Sequence, residues 1–306
     1  MHPAYSVIFF TVLSGAGFGL LALLSAAPLL GIGAAGSFAL LGFGSGMGLA
    51  IAGLLLSTLH LRRPERAWRA LSQWRSSWLS REGVLAIAAL AFAAIHAAML
   101  IFKSENWVIL AVFASALSLG TVYATGMIYA QLRTVVRWWT GWTPACFLGF
   151  SVAGGALLFA NARFFTSTEQ TAGGEVAFAI IALVAAWAIK LAWWKRGDSA
   201  KPPSTPESAT GLGRVGRVRL LESPHSGESY LTKEMGYKIA RKHASKLRVL
   251  ALVFGFAVPA ILSATAFVVS GESVLLSLAL ISYFAGTLAE RWLFFAESEH
   301  AVMTFY

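Results

Sequence analysis

Apolar residues in this chain come in blocks of about twenty, separated by short polar stretches. About twenty residues at 1.5 Å per residue is what a helix needs to cross the hydrocarbon core of a bilayer. Eight such blocks occur, at 5–27, 37–59, 84–102, 107–129, 144–162, 176–194, 249–269 and 273–294. None alternates with period two as a barrel strand would, and backbone groups in lipid must be satisfied within their own segment, so the blocks are predicted as helices. The expected fold class is therefore all-α: a polytopic membrane protein built as a bundle of eight transmembrane helices, with residues 1–306 forming a single membrane domain. Ser25-Ala26-Ala27 could pass for a signal-peptide cleavage site, but no positive residue precedes the first apolar run, so that block is read as a retained helix.

The first two blocks are rich in small residues, Ser14-Gly15-Ala16-Gly17-Phe18-Gly19 and Gly42-Phe43-Gly44-Ser45-Gly46-Met47-Gly48. Small residues four apart let helix backbones approach, so helices one and two are expected to pack closely. Six of the seven connections are short. The exception, about 195–246, opens with the disorder-prone Lys201-Pro202-Pro203-Ser204-Thr205-Pro206-Glu207-Ser208 and ends, from Tyr230 to Leu247, in basic, helix-forming sequence expected to run along the membrane surface. Within it, Gly211-Leu212-Gly213-Arg214-Val215-Gly216 matches GxGxxG by accident: a dinucleotide site needs a strand before it and a helix after it, and here it lies in a polar loop between two spans.

Composition agrees with the pattern. The chain is 57% hydrophobic and 12% charged, where a soluble domain carries about a quarter charged residues. The net charge of +10 is less informative than where it lies. With eight spans both termini share one side, and twenty of the 24 Lys and Arg residues fall in the loops of that side; the opposite loops hold only Lys103 and Arg163. The positive-inside rule places the basic side, both termini and the 195–246 loop in the cytoplasm. Because the charge follows topology, nucleic-acid binding is excluded; membrane lipid is the expected partner of the basic loop, with a docking surface for a soluble partner as the alternative. The single cysteine, Cys146, rules out a disulfide within the chain and any Cys-rich zinc or iron–sulfur site.

Ionisable residues inside or at the edge of a membrane are the candidates for chemistry. After the second block come Leu59-His60-Leu61-Arg62-Arg63-Pro64-Glu65-Arg66-Ala67-Trp68-Arg69. A proton-exchanging ring beside fixed positive charge and an indole suits a proton-carrying, lipid-soluble ligand, with a quinol as the obvious candidate. Glu82, in Ser80-Arg81-Glu82-Gly83 where helix three is expected to begin, returns to the same membrane face; a carboxylate there could equally serve the helix N-terminus. His96 is the only deep histidine. It is expected about 18 Å below the basic face, so it cannot share one iron with His60, and a haem is not expected. A hydrogen bond to a neighbouring helix would account for it. Lys190 is near enough to the basic end of helix six to snorkel. Glu290 and Arg291 are adjacent, and each is expected to find partners elsewhere.

Several of these segments are similar to the membrane-anchor subunit of the dimethyl sulfoxide reductase family of bacterial molybdoenzymes. They are Met1-His2-Pro3-Ala4-Tyr5-Ser6-Val7-Ile8-Phe9-Phe10-Thr11 followed by Ser14-Gly15-Ala16-Gly17; His60-Leu61 with Pro64 and Arg66; Leu79-Ser80-Arg81-Glu82; and Glu234-Met235-Gly236-Tyr237 with Ala240-Arg241-Lys242-His243. The resemblance implies a complex of three subunits in the bacterial inner membrane, serving anaerobic respiration. In it a molybdopterin subunit reduces the terminal acceptor, an iron–sulfur subunit with four clusters transfers electrons, and the anchor binds and oxidises menaquinol. It also implies that His60 is central to quinol binding and oxidation and that Arg66 and Glu82 belong to the same site. Trp68, where the family commonly has phenylalanine, is expected to pack on the quinone ring. The chain itself is expected to carry no haem and no iron–sulfur cluster. Two other readings remain: a secondary transporter, against which stand the absence of a clear internal repeat and the concentration of polar residues at one face rather than the midplane, and a purely structural anchor, which replacement of His60 would discriminate.

Overall fold

The computed structural model of the protein describes residues 4–58, 63–166, 173–200, 204–219, 221–222, 227, 243–269 and 273–305. Among them, eight helices are long and apolar enough to span a bilayer, and no strand occurs. They are α1 (Tyr5–Ala26), α2 (Gly36–Thr58), α3 (Trp78–Lys103), α4 (Val108–Ala130), α5 (Trp142–Thr166), α6 (Gly173–Asp198), α7 (Ala244–Val269) and α8 (Ser273–Ala296). The eight apolar blocks and the eight helices coincide, but their ends do not. α3 begins at Trp78 rather than 84, and α6 runs on to Asp198 rather than stopping at 194. The added turns carry Arg81 and Glu82, or Lys195 and Arg196, which hydropathy discounts although helical hydrogen bonding does not.

α1 and α5 are the most enclosed helices, and α1 packs against α2, α4, α5 and α8. Glycine explains why α1 can be central. A Cβ on Gly17 would lie 2.5 Å from the Ala50 nitrogen, and one on Gly53 would lie 2.6 Å from the Ser14 nitrogen. The α1–α2 seam is thus as close as the small residues predict. A second seam was not expected: a Cβ on Gly19 would overlap the Ser151 carbonyl of α5, and one on Gly155 would overlap the Gly19 backbone. Ser151 Oγ donates across this seam to the Gly15 carbonyl at 2.6 Å.

α7 is broken in register by a π turn at Val253–Ala257. Pro259 has no N–H to give to Gly255, four residues earlier, so that carbonyl is free. Trp187 Nε1 of α6 donates to it at 2.9 Å, while Gly255 and Gly286 of α8 meet with no room for a Cβ on either. At the basic end, Arg137 and Arg248 clamp Asp198 and Glu297, with N···O distances from 2.6 to 3.1 Å. This clamp ties the α4–α5 connection to α6, α7 and α8. Within the long loop, Pro206–Thr210 forms one helical turn capped by Thr205, and Gly211 follows at φ 71°. No strand precedes the GxGxxG match among the described residues. The surface helix expected from Tyr230 lies outside the described residues up to residue 242; α7 begins at Ala244.

Three expectations about charged or polar residues inside the bundle need correcting. Lys190 does not snorkel: it is fully buried, with Nζ 2.5 Å from Glu290 Oε1 and 3.8 Å from the Trp193 ring centroid. Glu290 does find a partner elsewhere, Lys190 of α6, but it also pairs with Arg291, whose Nε lies 3.1 Å from Glu290 Oε2. Their backbones diverge on the helix, but both side chains are long enough to curl together beside α6. His96 finds its partner in the α3–α4 connection rather than on a helix, its Nε2 lying 3.2 Å from Asn106 Oδ1.

Candidate functional site

The connection from α2 to α3 folds back over the head of α3 as a 3-10 helix, Pro64–Gln73. Pro64, in the first turn, has the fixed φ that suits a helix start. Three attachments hold this segment down. The Ser80 hydroxyl donates to the Ala70 carbonyl. The Arg81 guanidinium donates to the carbonyls of Trp74 at 3.0 Å and Arg75 at 2.7 Å. The Leu71 side chain sits over Gly83, where a Cβ would lie 2.7 Å from it.

Below this roof is a cavity of about 520 Å³ between α1, α2, α3 and α4, within the range of small-molecule sites. Val7 and Phe10 of α1, Leu54 of α2 and Ile128 of α4 give it apolar walls. Arg63 and Arg66 from the roof, Glu82 from α3 and Tyr129 from α4 bring polar atoms to it. Such a site can hold a flat apolar ring and offer its edge a carboxyl and guanidinium groups.

Glu82 is only 4% exposed. The helix starts at Trp78 after Ser77, so Glu82 is more than a turn inside and serves no helix terminus; the capping alternative falls. Its partner is the Thr125 hydroxyl of α4, which donates to Oε1. Among the described residues it makes no ion pair. Burying a carboxyl with so little compensation is costly, so its place on a cavity wall is informative.

The structure brings Arg66 and Glu82 to one cavity. His60 lies outside the described residues; in sequence it stands between Thr58 and Arg63, both of which line the cavity. Trp68 is not brought there: it is 68% exposed, beside the Arg69 guanidinium, a position that suits an indole at the membrane–water interface. Thr125 and Tyr129 escaped the sequence reading. Their signal is a buried polar run along α4, Ser118, Thr121 and Thr125, spaced three and four apart and continued four residues on by Tyr129. Tyr129 also joins the cavity to the aromatic core, with ring centroids 5.3 to 5.6 Å from Trp138, Phe147, Phe294 and Phe295.

Eight spans with a roofed cavity at one end are shared by more than one kind of membrane protein, and comparison with known proteins decides between them. Residues 1–296 match the DMSO reductase anchor subunit family (DmsC). The chain belongs to this family. A subunit of the sulfite dehydrogenase of Allochromatium vinosum is 34% identical over 328 aligned positions, covering 100% of this chain and 99% of that protein. No solved structure matches. The DmsC-family chain is therefore a multi-pass membrane anchor of a molybdoenzyme complex, alongside catalytic and electron-transfer subunits. A secondary transporter is set aside.

Proposed function

We propose that the cavity roofed by Pro64–Gln73 is a quinone site, at which the protein oxidises menaquinol and passes the electrons to an iron–sulfur partner with four clusters. The observation that supports this best is the convergence of Glu82 and Arg66 on one apolar cavity at the basic end of the bundle. Oxidising a quinol releases two protons and two electrons. His60, adjoining the cavity in sequence, takes the first proton, since an imidazole exchanges protons near neutral pH. Glu82 takes part in the second transfer through Oε2, the oxygen that Thr125 leaves free. Arg66 holds a ring oxygen. The electrons leave to the partner directly, with no haem or iron–sulfur cluster in this chain. We further propose that both termini and the 195–246 loop are cytoplasmic in the bacterial inner membrane; labelling of cysteines placed in that loop by an impermeant reagent from outside the cell would reverse the orientation.

His60→Ala is the test of the quinone reading. Quinol-dependent turnover should be lost while an artificial soluble donor still drives the catalytic subunit of an assembled complex. Unchanged quinol-dependent turnover would leave a passive anchor.

The full-length likeness to part of a sulfite dehydrogenase favours a second reading, in which the same cavity runs in the opposite direction. A dehydrogenase takes electrons from its substrate, so the anchor would deliver them to a quinone, and His60 and Glu82 would supply protons rather than take them. Membranes containing the complex distinguish the two: sulfite-dependent quinone reduction supports this reading, and menaquinol-dependent reduction of a sulfoxide supports the first.

A further inference from the structure

Behind Glu82 lies a second, much smaller cavity, inside the bundle between α1, α4, α5 and α8. At about 20 Å³ it has room for a single water. Its wall is rich in polar side chains: Ser14, Thr125, Ser151, Tyr283, Thr287 and Arg291. Three of these are already committed, Ser14 to the Phe10 carbonyl, Ser151 to Gly15 and Tyr283 to Phe150. Thr287 Oγ1 and Arg291 Nη1 are not: each is buried without a hydrogen bond of ordinary geometry among the described residues, Thr287 Oγ1 having only the Tyr283 hydroxyl nearby. Buried orphan groups are rare, and a water-sized polar void beside two of them is where an ordered water belongs.

Thr125 stands on the wall of this void and donates to Glu82, which lines the larger cavity. On the far side, Arg291 continues into the buried cluster, with Glu290 between Arg291 and Lys190. The guanidinium carbon lies 4.0 Å from the Phe147 ring centroid. Two cations here face one carboxylate, and Glu82 is the acidic group across the void.

We propose that an ordered water in this cavity bridges Arg291 and Thr287 to Thr125, so that the buried cationic cluster positions Glu82 for the proton step at the quinone site. The inference rests on the quinone reading of the larger cavity. The hydrogen bonds of the bridge all run one way. Arg291 Nη1 and Thr287 Oγ1 donate to the water and hold it, the water donates to Thr125 Oγ1, and Thr125 gives its single hydrogen to Glu82 Oε1 rather than to the Thr121 carbonyl 3.0 Å away. That chain fixes Oε1 and leaves Oε2 for the proton exchanged with the ring oxygen. Thr125, Thr287 and Arg291 are positioning residues, since none of them lines the quinone cavity. Among the described residues, the other charged or titratable groups lining the cavity with Glu82 are Arg63 and Arg66 from the roof and Tyr129 from α4, and the lining residues of α1 and α2 are uncharged; His60 lies outside the described residues.

Thr125→Val and Thr287→Val, made in the whole complex in membranes, test this. Both replacements keep shape and remove a hydroxyl. Each should slow quinone-dependent turnover about tenfold, the effect of one lost hydrogen bond at the reacting group. The pH profile and the ratio of rates in H2O and D2O should change, while affinity for a tight-binding quinol analogue and the artificial-donor rate stay as in the parent. The double variant should be no slower than Thr125→Val alone, because both break one chain. A Thr287→Val complex with parental turnover, pH profile and isotope ratio overturns the proposal, as do additive effects in the double variant. A high-resolution map of the complex with no density in hydrogen-bond reach of Arg291 Nη1 also overturns it. Failure of the quinone reading is seen separately: Arg66→Ala would then leave analogue affinity untouched, and Glu82→Gln would leave quinone turnover untouched.

Discussion

Among the described residues, two glutamates are buried within the spanning helices, and they are placed in opposite ways. Glu290 of α8 is wholly enclosed and paired on both oxygens, with Lys190 and with Arg291. Glu82 of α3 is nearly as buried but has one hydroxyl partner and faces a cavity of about 520 Å³. Removing a charge from water is costly in both places. At Glu290 the cost is offset by neighbouring charges, which is how buried ion clusters persist. At Glu82 the protein supplies less, and the open side is toward the space a ligand would fill. Burial with full pairing marks a structural group; burial with incomplete pairing beside a cavity marks a group that exchanges something.

The comparison can be broken at several points. The largest effect is expected on the cavity side. His60→Ala should reduce quinone-dependent turnover by about 10²- to 10⁴-fold, the usual worth of a general acid–base group, without loss of assembled complex; both are read in the same membranes. On the paired side, Glu290→Gln should destabilise the anchor by about 3–5 kcal/mol, because it leaves buried cations uncompensated. Thermal denaturation of the complex and the yield of intact anchor measure this, and a Glu290→Gln anchor as stable as the parent would show that the pairing is not structural. Glu82→Gln should do the reverse. Stability should change by no more than about 1 kcal/mol, analogue binding should persist, and turnover should slow with a defect that varies with pH, since the amide cannot titrate. The smallest effect is predicted at the clamp. Arg137→Gln removes a bond to Asp198, whose side chain is 45% exposed, and one to the buried Glu297, which keeps Arg248 at 2.6 Å; with the buried carboxylate still paired, the loss is expected to be about 1 kcal/mol, as for solvent-screened pairs.

Much of this could be read from the chain. The eight helices follow from the lengths of apolar blocks, because no other closed backbone arrangement gives such blocks in lipid. The α1–α2 seam follows from its glycines. The α1–α5 seam did not, because Gly19 and Gly155 lie far apart in sequence and only the fold shows that they meet. Hydropathy misplaced the start of α3, since Trp78 to Gly83 carry charge at a membrane edge, and with it misplaced Glu82 at a helix end. Thr125 was invisible for a different reason: a threonine in an apolar helix usually bonds its own backbone, and the Thr121 carbonyl, 3.0 Å from Thr125 Oγ1, is the acceptor that bond would use. The Lys190–Glu290–Arg291 cluster was misread because spacing along one helix says nothing about what a long side chain reaches on another.

The central claim is that a quinone ring sits under Pro64–Gln73 beside Glu82. Photo-cross-linking with an azidoquinone, followed by mapping of the labelled peptides in the intact complex, tests it most directly. The account predicts label on peptides spanning 54–71 and 79–83, lost when excess quinol analogue competes and weakened in Arg66→Ala. Label confined to α5, α6 or α8 would contradict it.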